Sequence, residues 1–132
     1  MANQTKTASG TLAELTAGSI FTYGGIKWIL LERDGGAALC LAHDLLPDER
    51  AFDTENRNNF ACSTLKEWLN GDFMAELKEA GADPEAFAEM TVDLTADDGL
   101  TDYGHTTSKI ALISCEQYRR FRHLIPNASN WW

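Results

Sequence analysis

Hydrophobic positions along this chain come in short runs, and the first of them alternate in the way strands do. Ser19 to Tyr23 and Ile26 to Arg33 are β-branched and aromatic, Gly24-Gly25 separates them, and Asp34-Gly35-Gly36 leads on to Ala37 to Leu41. An Asp-Gly step between apolar runs suits a turn with φ > 0 at its central residues, so the segment reads as an antiparallel meander. In the second strand Ile26, Trp28 and Leu30 fall on one face and Ile29 and Leu31 on the other, which predicts a central strand covered on both sides.

Pro47 to Cys62 is polar and Asn-rich, with Phe52 and Phe60 as isolated anchors, and reads as a long loop. A helix starts near Ser63 or Thr64, where Thr64-x-x-Glu67 fits a capping box; Leu65, Trp68 and Leu69 form its stripe and Asn70-Gly71 ends it. A second helix runs from Asp72 to Glu79 on Phe73, Met74 and Leu77, and Asp83-Pro84 opens a third, Glu85 to Met90. Thr91 to Leu94 reads as a strand, Thr95 to Thr107 as a polar loop holding Tyr103, and Lys109 to Ile113 as a buried strand. Ser114-x-x-Gln117 opens a last helix through Tyr118, Phe121 and Leu124 that stops before Pro126. The expected fold is α+β: a small antiparallel sheet, made of the meander plus strand 109–113, packed with three to four short helices. Residues 1–18, rich in Thr, Ala, Ser and Gly, read as a flexible arm before a single domain at 19–132.

Length agrees with one core, since 132 residues with 44% hydrophobic composition bury enough surface without metal or disulfide staples. A formal charge of −9 repels phosphate backbones and anionic headgroups, so nucleic acid and membrane surfaces are not expected partners. The basic cluster Arg119, Arg120, Arg122 and His123 reads as a solvated helix face. The polar start carries no apolar signal region and no apolar run approaches a membrane span, so the chain as written reads as cytoplasmic. Cys40, Cys62 and Cys115 are odd in number, widely spaced and free of any C-x-x-C pair, which suits reduced thiols filling apolar sites.

Candidate chemistry is sparse. Asp93, Asp97, Asp98, Asp102 and His105 surround a Gly-containing loop that could offer oxygens to Ca2+, but the spacing is not that of an EF-hand and a solvated turn explains it; no cofactor is expected. Ser63, Ser114 or a cysteine with His43, His105 or His123 would make a nucleophile and base, yet no local motif supports the pairing and both serines read as helix caps. The glycine pairs are turn residues, with no phosphate-binding loop. Trp131 and Trp132 read as a sheet-packing tail, the start of a strand, or an interface anchor.

Taken in order, Ile26-Lys27-Trp28-Ile29-Leu30, then Ser63-Thr64-Leu65-Lys66-Glu67-Trp68-Leu69-Asn70-x-x-Phe73, then Ile110 to Ser114-x-x-Gln117-Tyr118, then Asn130-Trp131-Trp132 make a pattern. It resembles an uncharacterised bacterial domain family of gut Firmicutes and their mobile elements, with W-x-V-L, S-x-L-R-x-W-L-N-x-x-F, V-F-L-L-S-x-x-E and W-W-L-R-S motifs. The resemblance spans residues 18–132, with Lys66 in place of Arg and Gln117 in place of Glu. It implies kinship with C-type-lectin-like and formylglycine-generating-enzyme-like modules, and a domain whose C-terminal half would follow Trp132. It supplies no catalytic residues.

Three functional readings follow. The first is a non-catalytic module binding a protein or small ligand through its loops, with Phe52, Asn56, Arg57, Asn58, Asn59 and Phe60 in one and Asp97, Asp98, Asp102, Tyr103 and His105 in the other. The second is a metal-assisted hydrolase using Asp98, Asp102 and His105. The third is an acidic decoy or inhibitor. Unpaired strand edges and the terminal tryptophans also suggest a homo-oligomer.

Overall fold

The structure, a computed structural model, describes residues 6–7, 10–11 and 14–126. The proposed interface residues Trp131 and Trp132, and most of the arm before residue 14, lie outside the described residues.

Two short strands, β1 (Lys6–Thr7) and β2 (Gly10–Thr11), pair antiparallel and precede the meander of β3 (Ile20–Tyr23), β4 (Ile26–Asp34) and β5 (Ala37–Ala42). Gly24 and Gly25 both take positive φ, 63° and 78°, and close the β3–β4 hairpin with Tyr23 opposite Ile26. That mirror-image turn matches the strands' own twist. β4 lies between β3 and β5, so it has hydrogen-bonded neighbours on both edges.

Its faces are covered differently. Phe21, Leu30 and Ala38 pack with Leu15, Tyr23, Trp28 and Cys40 on one side. On the other, Ile29 and Leu31 pack with Phe121, Leu124 and Ile125. The β4–β5 register shifts between Leu30 and Glu32, a bulge beyond which the Glu32 carboxylate accepts a hydrogen bond from Arg120 on the same helical layer as Phe121.

Helices α1 (Thr64–Asn70) and α2 (Asp72–Glu79) supply the third apolar body: Leu69, Phe73, Met74 and Leu77 close on Phe60, Ala82 and Phe87, with Trp28 and Tyr23 joining from the sheet. The cap of α1 is Ser63, whose Oγ accepts from Lys66 N, and Thr64 serves the loop instead by accepting from Thr54 N. Helix α3 (Cys115–Phe121) begins with the reciprocal capping box of Ser114 and Gln117, then tightens into a 3-10 turn over Arg122–Leu124.

Two sequence expectations are corrected. Glu85 to Met90 is not a helix: after a single 3-10 turn at Pro84–Ala86 the chain goes extended at Phe87 and enters β6 (Met90–Asp93). Phe87 is buried against the Tyr23 and Trp28 rings, and reaching that site draws the backbone out of the helical region.

Nor do residues 109–113 add a strand to the meander. The strand in this region is β7 (His105–Ser108), which pairs only with β6 in a separate two-stranded sheet. The physical reason is Asn70. Its Oδ1 accepts from Lys109 N and Ile110 N at 3.0 and 3.1 Å and its Nδ2 donates to Ile110 O at 3.1 Å, so a side chain takes the backbone groups a ladder would have used.

Candidate functional site

The two loops expected to carry contacts are internally tied. Asp53, its side chain fully buried, accepts hydrogen bonds from Arg57 N, Nε and Nη2 and from Thr64 N, all at 2.8–3.1 Å. These bonds, with the Arg57 side chain foremost, hold the Asp53 carboxyl well below the usual carboxylate range. Asp53 thereby ties the 53–57 segment to the start of α1. Asn56 sits at φ 59°, a left-handed conformation that Asn tolerates. Asn59 caps the 3-10 turn Phe60–Cys62 through its Oδ1. Phe60 is buried in the helix-side core and the half-buried Phe52 packs beside it, while Asn58 is exposed.

In the second loop Asp93 Oδ1 accepts from Thr95 N and Oγ1, which lower its pKa, Asp98 Oδ1 accepts from Leu100 N, and Asp97 pairs with Arg119 of α3 at 2.6 Å. His105 stands in β7 opposite Asp93; Asp102 and Tyr103 are exposed. Among the described residues no three His, Cys, Asp or Glu side chains come together as a metal site, the 97–105 carboxylates included. None of the described helices is long and apolar enough to cross a membrane.

A concavity lies elsewhere in the described residues. A groove of about 800 Å³ runs along β5, with Ala37 through Leu46 on one side and the segments 88–91 and 109–113 on the other. Its lining is mostly apolar, with Phe21, Trp28 and Phe87 in the floor and the exposed Leu45 and Leu112 at the rim. The charged groups around it are largely occupied: Lys109 Nζ donates to Pro84 O, Arg120 to Glu32 and His43 is paired with Asp44. Burial pushes the Cys40 thiol, also in the wall, up to about 12, which makes it an apolar filler. By contrast Cys62 and Cys115 are exposed rather than buried as expected.

None of the eleven loop residues expected from the sequence to bind a ligand lines this groove, whereas His43, weighed as a base, does. The signal available was the apolar, charge-free character of Ala37 to Ala42 and Ile110 to Ile113. Both runs are strand-like in sequence, and in the structure only Ala37–Ala42 joins the meander, while 110–113 lines the groove without being a strand of that sheet.

No protein-family model matches the chain, and no curated protein or solved structure matches it.

Proposed function

We propose that this chain is a non-catalytic binding module whose ligand is held in the apolar groove along β5. One observation carries the reading: about 800 Å³ of mostly apolar concavity whose lysine, arginine and histidine are already hydrogen-bonded within the protein. A site of this kind suits retention of an apolar ligand and has few groups free to move protons. The kinship with C-type-lectin-like modules belongs to the same proposal; the α+β architecture and the order of the motifs support it.

The test uses the exposed rim, where substitution spares the core. An apolar fluorescent probe, anilinonaphthalene sulfonate, is expected to bind with a saturable signal and to be lost in the double variant Leu45→Arg, Leu112→Arg. Undiminished binding by that variant, with unchanged thermal stability, would place the probe outside the groove and remove the basis for the proposal.

A further inference from the structure

Among the described residues strand β5 is an edge, hydrogen-bonded to β4 on one side and to no strand on the other. Exposed edges are ordinarily blunted by Lys, Pro or a bulge in the edge strand. Ala37-Ala38-Leu39-Cys40-Leu41-Ala42 has neither a charge nor a proline. Its unblocked edge borders the groove: Ala38 and Cys40 from one face of the sheet and Leu39 and Leu41 from the other all line it, so the groove follows the strand's edge rather than either face.

The direction of the backbone groups agrees. His43 donates its N–H to Lys27 O across the ladder at 2.9 Å. The strand's period of two then turns the N–H and C=O of Cys40 and Ala42 away from β4, into the groove. Across the groove, no backbone hydrogen bond joins Ala111, Leu112 or Ile113 to another described residue. Charge adds a preference. Among the ionic groups in the walls, Glu89 has no partner among the described residues, and the chain as a whole carries −9.

From these observations we infer that the groove accepts an extended peptide segment of a partner protein, which adds to β5 as a fourth strand and carries apolar residues flanked by a lysine or arginine. This rests on the groove being the binding site. Main-chain hydrogen bonds to Cys40 and Ala42 hold the segment, its apolar side chains enter the floor, and its cation meets Glu89.

The probe is a blocked hexapeptide of alternating valine and threonine with a terminal lysine, compared with the same peptide N-methylated at alternate residues and with a glutamate-ended version. Binding to the full chain is followed by fluorescence, and amide hydrogen exchange is read at Cys40 and Ala42. The parent peptide is expected to bind, to slow exchange at both amides, and to lose about tenfold in affinity on N-methylation, as lost backbone hydrogen bonds require. The glutamate version is expected to bind more weakly, and the variant Ala42→Pro, which removes an outward N–H from an edge strand, to weaken the parent peptide alone.

Equal affinity for parent and N-methylated peptides, or binding without protection of those amides, overturns strand addition while leaving the groove a binding site. Probe binding that depends on Leu45 and Leu112 with no peptide binding does the same. Failure of both probe and peptide overturns the groove reading itself. Peptide binding only after residues 127–132 are deleted, or protection of Cys40 and Ala42 in a concentration-dependent dimer, replaces the partner with this chain's own segment or a second copy.

Discussion

The side chain of Asn70, at the last position of α1, hydrogen-bonds both backbone groups of Ile110, forty positions on: Oδ1 accepts from its N–H and Nδ2 donates to its C=O, each at 3.1 Å. The same amide also reaches Lys66 O and Ser108 Oγ at 2.9 Å. It ties the helix end to the segment forming one wall of the groove. Asn70→Ala is expected to cost about 2–3 kcal/mol, because the N–H groups of Lys109 and Ile110 would be left without their acceptor. Urea unfolding measures this, and the groove wall predicts weaker apolar probe binding in the same variant.

Asp53 makes stability depend on acidity in a definite direction. Its carboxyl pKa is lowered in the folded chain, first by the Arg57 side chain. Its contribution is therefore present above the unfolded value of about 3.9 and is lost as pH falls through the lowered folded value. In Asp53→Asn the stability deficit is expected to be widest near neutral pH and to narrow on acidification through the carboxylate range. Parallel unfolding curves for the two proteins at all pH values would contradict that assignment.

Gly24→Ala tests the packing of the β3–β4 hairpin against α2. At φ 63° a Cβ would lie 3.0 Å from Ala82 Cβ and 3.3 Å from Leu77 Cβ. Both backbone strain and overpacking act, with an expected loss of about 1–3 kcal/mol. Gly35, also at positive φ but with nothing within 4 Å of a built Cβ, is the control: Gly35→Asn should be tolerated far better, since Asn enters the left-handed region more readily than other side chains. Thermal unfolding of both variants separates the two causes.

The three thiols should sort by environment. Cys62 and Cys115 are exposed, whereas burial pushes the Cys40 thiol up to about 12. At pH 8 a disulfide reagent is expected to consume the first two rapidly and Cys40 slowly, with the third equivalent released on denaturation. Rapid reaction of all three in the native protein would show the β5 edge to be open to the reagent at Cys40.

Much of the local architecture was legible in the residues themselves. Gly24-Gly25 and Asp34-Gly35-Gly36 mark the meander, because the positive φ taken at Gly24, Gly25 and Gly35 strongly favours glycine and the turns set strand direction at once. Ser114 and Gln117 mark the start of α3 through a reciprocal cap spanning three residues. Apolar alternation in Ile26 to Leu31 placed that strand at the centre with both faces covered. Such signals are local, and local chemistry is what a sequence displays directly.

The candidate site was not legible in this way. Phe52 and Phe60, isolated apolar residues in a polar loop, pack at the core, and Arg57 folds onto Asp53, contacts that the loop's own sequence does not display. Ala37 to Ala42 and Lys109 to Ile113 are both strand-like sequences, and nothing within either says whether they pair. Asn70 decides it from a different element by capturing the backbone of 109 and 110, which keeps the second segment off the sheet edge and leaves a groove between them. The sequence by itself determined the turns, the caps and the central strand, whereas only the tertiary structure decided which strand-like runs remain apart, because that depends on hydrogen bonds between residues distant along the chain.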